Sequence, residues 1–155
     1  MLVHPVGRGA FLAAKAVRAS FAKAVVTRSS FGLADLTEAS FAEASGERCS
    51  FLRATLDGAD LGRSTFDHAF FVEASARRTD FRRSLLRWAR FYRACTTDAD
   101  FSEASLYAAD LCKCEMHRAR FVGANLFDAK LLQAAGLDCD FTSADVRRVL
   151  RDGAR

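Results

Sequence analysis

Residues 31–61 read FGLADLTEASFAEASGERCSFLRATLDGADL, and a large apolar residue returns at every fifth position: Phe31, Leu36, Phe41, Phe51, Leu56 and Leu61, interrupted by Gly46. Two positions before each centre stands a small residue: Ala34, Ala39, Ala44, Cys49, Ala54 and Ala59. Working outward, the same register holds from Phe11 to Val146. Its 28 centres comprise 12 Phe, 8 Leu, Val26, Val146, Met116 and the exceptions Ala16, Gly46, Ala76, Thr96 and Gly136. The position two before the centre is small throughout, with Cys49, Cys114 and Cys139 standing where Ala otherwise does. The other three positions carry nearly all the charge and are expected to face solvent.

A period of five matches neither the helical 3.6 nor the strand period of 2, so no long regular element keeps these residues on one buried face. A chain that turns a corner every five residues does. The second-order pattern supports four sides per coil. Centres at 11, 31, 51, 71 and 91 are all Phe, as are those at 21, 41, 81, 101, 121 and 141, while the two intervening series, Phe66 apart, hold Leu, Val, Met or smaller residues. Phe then stacks on two opposite sides and smaller residues fill the other two, as a core without voids requires.

Ala34-Asp35-Leu36, Ala59-Asp60-Leu61, Ala99-Asp100-Phe101, Ala109-Asp110-Leu111 and Ala124-Asn125-Leu126 resemble the A(D/N)LXX motif of the pentapeptide repeat family. The resemblance covers residues 9–148. It implies an all-β fold, a right-handed quadrilateral parallel β-helix of about seven coils, on the order of 34 Å long at the usual spacing between strands. Residues 1–8 are expected to cover the first coil. Asp145 is expected to N-cap a short C-terminal helix over 145–155, with Val146, Val149 and Leu150 on one face. A homodimer through an end cap or an apolar side is compatible with this plan.

Composition narrows the function. No apolar run reaches the roughly 20 residues of a membrane helix, and five cysteines without framework spacing fit a reducing cytoplasm. Residues 1–34 are basic and lack an acid, as organelle transit peptides do, but the repeat register already runs through them. Catalysis needs polar groups converging on a concave pocket, which a filled rod does not offer. His4, His68 and His117 stand apart in the register, and Cys112 and Cys114 point opposite ways. The chain is therefore expected to be non-enzymatic, with no catalytic residue, metal, cofactor or small-molecule substrate.

What remains is partner binding. The family resemblance implies DNA gyrase or a related topoisomerase as one partner, with resistance to quinolones or natural gyrase poisons through imitation of duplex DNA. A mimic about 34 Å long would show on the order of 20 negative charges. The side containing Phe31 instead carries Arg53, Arg90, Arg93, Lys113 and Lys130 against Glu73 and Asp110, and no other side is an acidic strip.

Two surface features stand out. The first is an apolar stripe at outward positions of one side: Leu12, Leu33, Leu52, Phe70, Val72, Tyr92 and Leu132. The second is a belt of Arg77, Arg78, Arg82, Arg83, Arg87, Arg90 and Arg93, interleaved with Trp88 and Tyr92 and followed by Tyr107 and Phe127. Arginine with aromatic residues is the composition of protein-binding hot spots and of nucleic-acid surfaces. The competing reading is a solvated rim whose arginines pair with Asp57, Asp98, Asp100 and Glu103.

Overall fold

The computed structural model describes residues 10–152, and the expected cover from residues 1–8 lies outside them. Every fifth residue, one before each centre, forms a parallel bridge with the residue 20 positions on: Ala10 with Ser30, Lys15 with Asp35, Ser20 with Ser40, Val25 with Ser45, and so on to Lys130 with Leu150. Four pentapeptides therefore make one coil, and the coils stack. Face 1 carries the centres Phe31, Phe51 and Phe71; face 2 carries Leu36 and Leu56; face 3 carries Phe41 and Phe81; face 4 carries Val26 and Leu126.

Each corner is built the same way. The amide three residues past the centre is tied down locally, as where Ala34 donates to the Phe31 carbonyl at 3.1 Å. The residue two past the centre takes the left-handed conformation in every repeat, including Leu33 (φ 58°), Trp88 (φ 56°) and Ala108 (φ 52°). Only Gly58 and Gly123 meet this demand without a side chain; an ordinary residue there costs roughly 1–2 kcal/mol. Ladder bonds on both sides offset that cost, for example Phe31 N–H to Ser50 O at 2.7 Å and Ser50 N–H to Ser29 O at 3.0 Å.

One amide per repeat has no ladder partner, that of the residue just after the centre. The Asp or Asn before the centre supplies the acceptor. Asp60 Oδ1 receives the Gly62 amide at 2.9 Å, Asp100 that of Ser102 at 2.9 Å and Asn125 that of Phe127 at 3.0 Å. This Asx turn is the physical reason for the acid or amide in the repeat. Elsewhere the coil before provides it: Asp57 and Asp67 accept from Arg77 and Arg87, and His117 Nδ1 accepts from Leu137 at 3.1 Å.

The core matches the expected division of Phe. Phe31 stacks on Phe51 (5.1 Å, 8°) and Phe81 on Phe101 (4.6 Å, 1°), while rings from faces 1 and 3 meet edge to face, as Phe31 and Phe41 do at 5.3 Å and 89°. The exception at Gly46 has a steric cause. A Cβ there would lie 2.2 Å from the Phe66 ring, so the glycine opens the space that Phe66 fills in a coil where Leu61 replaces the usual Phe. Polar residues at the small interior position bond to nearby carbonyls: Ser64 to Leu61 O at 2.6 Å, Thr79 to Leu56 O at 2.8 Å and Cys49 to Val26 O at 2.6 Å.

The C-terminal helix expected from Asp145 is not formed among the described residues. Asp145 bridges to Asn125 and Leu150 to Lys130, so the ladder continues. Asp145 Oδ1 accepts the Arg147 amide at 3.2 Å in an Asx turn like the others, rather than capping a helix. Interior positions of this repeat lie three apart, at Val146 and Val149, which imitates the spacing of a helical face.

Candidate functional site: the edge between faces 4 and 1

Twenty consecutive residues visit all four faces, and the arginine belt is distributed accordingly. Arg77 and Arg78 lie on face 2, Arg82 and Arg83 on face 3, Arg87 and Trp88 on face 4, and Arg90, Tyr92 and Arg93 on face 1. The belt thus encircles the rod and does not form one surface. Much of it is also neutralised. Arg82 pairs with Asp80 at 2.5 Å, Arg83 with Glu103 at 3.0 Å and Arg87 with Asp67. The hydrogen bonds that each guanidinium donates to its acid raise its affinity for its proton. Exposed pairs of this kind contribute little to stability, because solvent screens them.

Of the acids expected to pair with the belt, only Glu103 does so. Asp98 is taken by Arg118 at 2.7 Å, whose hydrogen bond holds that carboxyl below its usual range. Asp100 lies 3.6 Å from Arg120, and Asp57 accepts the Ser75 hydroxyl and the Arg77 amide.

The aromatic residues behave differently. The five that are not core centres, Phe70, Trp88, Tyr92, Tyr107 and Phe127, all fall on the adjacent faces 4 and 1. On face 4, Trp88 stacks on His68 (4.9 Å, 6°), Tyr107 meets Trp88 edge to face (5.4 Å, 78°), and Phe127 stacks on Tyr107 (5.9 Å, 2°). Cations lie against the same rings: Arg87 at 5.8 Å from Trp88, and Arg147 and Arg148 at 5.6 and 5.4 Å from Phe127. Arg147 and Arg148 are themselves bound to Asp145 and Asp128, each at 2.8 Å. On face 1, Arg90 sits 5.9 Å from Phe70, and Arg93 and Lys113 lie 5.3 and 5.7 Å from Tyr92.

The apolar stripe is collected on face 1 as its register requires. Leu12 (64%), Leu33 (56%), Leu52 (43%) and Phe70 (37%) are exposed, while Val72, Tyr92 and Leu132 are half-buried. The stripe and the aromatic ladder therefore share one edge of the rod. His68, read from the sequence as an isolated surface residue, is part of the ladder. Its spacing of 20 from Trp88 was the available signal.

Two depressions are also present, the first away from this edge and the second meeting it at Arg148. One, of about 400 Å³ on face 3, surrounds Arg82 where Ala42, Gly62 and Ser102 leave the surface low. The other, of about 480 Å³, is lined by Leu131, Gly136, Phe141 and Val149 at the last coil. No helix among the described residues is long and apolar enough to cross a membrane.

A repeat solenoid whose side chains offer one aromatic and cationic edge is the class that these observations define. A family profile described as pentapeptide repeats, in 8 copies, matches residues 29–67, 59–95 and 94–133. That is more than half of the chain, and the protein belongs to the pentapeptide repeat family. Among solved structures it is similar to a pentapeptide repeat protein from the Arabidopsis thaliana thylakoid lumen (26% identity, TM-score 0.50), over 61% of this chain and 62% of that one. The match thus spans less than two thirds of that relative. It is also similar to QnrB1, a plasmid-mediated fluoroquinolone resistance protein (18% identity, TM-score 0.50), over 97% of this chain and 92% of that one. A search of curated protein sequences gave no significant match.

Proposed function

We propose that this chain is a non-enzymatic scaffold that binds a protein partner through the edge between faces 4 and 1. The observation that carries the reading is the confinement of all five non-core aromatic residues to those two faces. Rings held by stacking lose little conformational freedom on binding, which is what makes aromatic anchors effective. In this reading the rod is a right-handed β-helix of about seven coils, and it acts in the cytoplasm, in keeping with its free cysteines.

The test is capture from lysate on the immobilised protein, beside a variant carrying Trp88→Ala and Tyr107→Ala. Partners of the edge are expected to be retained by the parent chain and lost from the variant. Identical capture by both would refute the reading. The family resemblance keeps gyrase binding as the alternative partner, although no face carries an acidic strip. A supercoiling assay with and without a quinolone decides it: inhibition or protection by added protein supports gyrase, and no effect at large excess removes it.

A further inference from the structure

On face 1 three parallel rows run along the rod. The middle row is Leu52, Val72, Tyr92, Cys112 and Leu132. One flanking row is Phe70, Arg90, Asp110 and Lys130, and the other is Arg53, Glu73, Arg93 and Lys113. An apolar track is thus bordered on both sides by cations.

The ion pairs show which of these cations are free to meet a partner. Glu73 is shared by Arg53 at 2.7 Å and Arg93 at 3.9 Å, and on face 4 Arg87 and Arg148 have Asp67 and Asp128. Arg90, Lys113 and Lys130 have no ion-pair partner among the described residues, and all three are exposed. The other acid of the flanking rows, Asp110, has one oxygen on the Cys112 amide at 3.0 Å. The chain has spent its acids elsewhere and left a positive surplus beside the apolar track.

The rings argue on the same side. A nucleic acid gains affinity at an aromatic surface by stacking bases on open ring faces. Trp88 is stacked on His68 and Tyr107 on Phe127, while Tyr92 and Phe70 have cations over them. A base would have to displace a ring or a guanidinium to stack. Carboxylates need only approach the free cations, and their neighbouring apolar side chains can lie along the middle row.

We infer that the partner of this edge is an acidic protein segment bearing interspersed apolar side chains, received on face 1 by Arg90, Lys113 and Lys130 on either side of the track from Val72 to Leu132. The inference rests on the partner-binding reading above and names the chemistry of the partner.

The test is a titration of the full chain with three dye-labelled probes, an alternating Glu-Leu peptide, its Lys-Leu counterpart and oligo(dT), followed by anisotropy at low salt. The single tryptophan, Trp88, reports contact at the edge. The Glu-Leu peptide is expected to bind, to change Trp88 fluorescence and to weaken about tenfold when Arg90, Lys113 and Lys130 are all changed to Ala. Lys130→Ala alone touches no ring or acid and is expected to give part of that loss. A charge-matched variant with Lys15→Ala, Arg63→Ala and Arg78→Ala, all on faces 2 and 3, is expected to bind as the parent does.

Equal loss in the charge-matched variant would reduce the effect to overall charge and overturn the inference. So would equal binding of the Lys-Leu peptide, tighter binding of oligo(dT), or failure of the Glu-Leu peptide to bind. Failure here with edge-dependent capture from lysate would leave the partner-binding reading standing; loss of edge-dependent capture would remove that reading whatever the peptides do.

Discussion

Gly46→Ala adds one carbon to the interior and places it 2.2 Å from Phe66 Cε1 and 2.9 Å from Cys49 Sγ. Ordinary van der Waals contact begins near 3.4 Å, so the ring has to retreat by about 1.2 Å. It has nowhere to go. Phe66 is fully buried, with Phe41, Phe51 and Phe71 at centroid distances of 5.9, 5.4 and 6.4 Å, all edge to face. Overpacking of this kind costs about 1–3 kcal/mol.

Phe66→Leu alone removes Cε1, the atom nearest the added carbon, and replaces the rigid ring by a branch that can rotate away; it is itself destabilising, because it opens a cavity beside those rings. Combined with Gly46→Ala, the shorter side chain makes room for the added methyl group. The double variant is expected to be close to Phe66→Leu alone, a coupling of about 1–2 kcal/mol between the two sites. Urea unfolding of the parent, both single variants and the double variant measures this, with unchanged denaturant slopes as the check that only stability has moved. Additivity within about 0.5 kcal/mol would refute the steric account of the glycine.

Three further outcomes are expected. Ala108→Gly relieves the left-handed conformation at φ 52° and should stabilise the fold by about 0.5–1 kcal/mol, read as a rise in thermal midpoint; a fall would show that the corner is not strained. The Asp145 carboxyl is held down to about 2 by the Arg147 side chain and then by its amide, and Asp35 and Asp140 are lowered by the side chains and then the amides of Thr37 and Thr142. Groups depressed on folding contribute stability that is complete above the ordinary Asp range near ~3.9 and lost as the pH falls toward 2. Stability should therefore drop between about pH 4 and pH 2, and Asp145→Asn should reduce that drop. Burial pushes the Cys49 and Cys114 thiols up to about 12, so thiol labelling near pH 8 should modify them only after unfolding, and later than the half-buried Cys95 and Cys112.

The repeat, the inward and outward positions and the four-sided coil were legible in the residues, because each pentapeptide states its own burial pattern and Phe marks opposite sides. Asp145 shows the limit of that legibility. Its downstream apolar residues, Val146 and Val149, fit a helix and a pentapeptide interior equally well, since both place buried residues three apart. Hydrogen bonding to the preceding coil, through Asn125 and Lys130, decided between them.

The arginine belt shows the same limit on the surface. Neighbours in sequence from Arg77 to Arg93 are dispersed over four faces, whereas His68 and Trp88, 20 residues apart, are in contact. Local sequence alone determined what kind of residue each position holds and which way it points. The tertiary structure decided which of them meet and which cations keep a free charge. Those depend mostly on the side chain one coil away, 20 residues off in the chain, as for Arg83 with Glu103 and Arg118 with Asp98, while Arg82 with Asp80 and Arg147 with Asp145 pair within a coil.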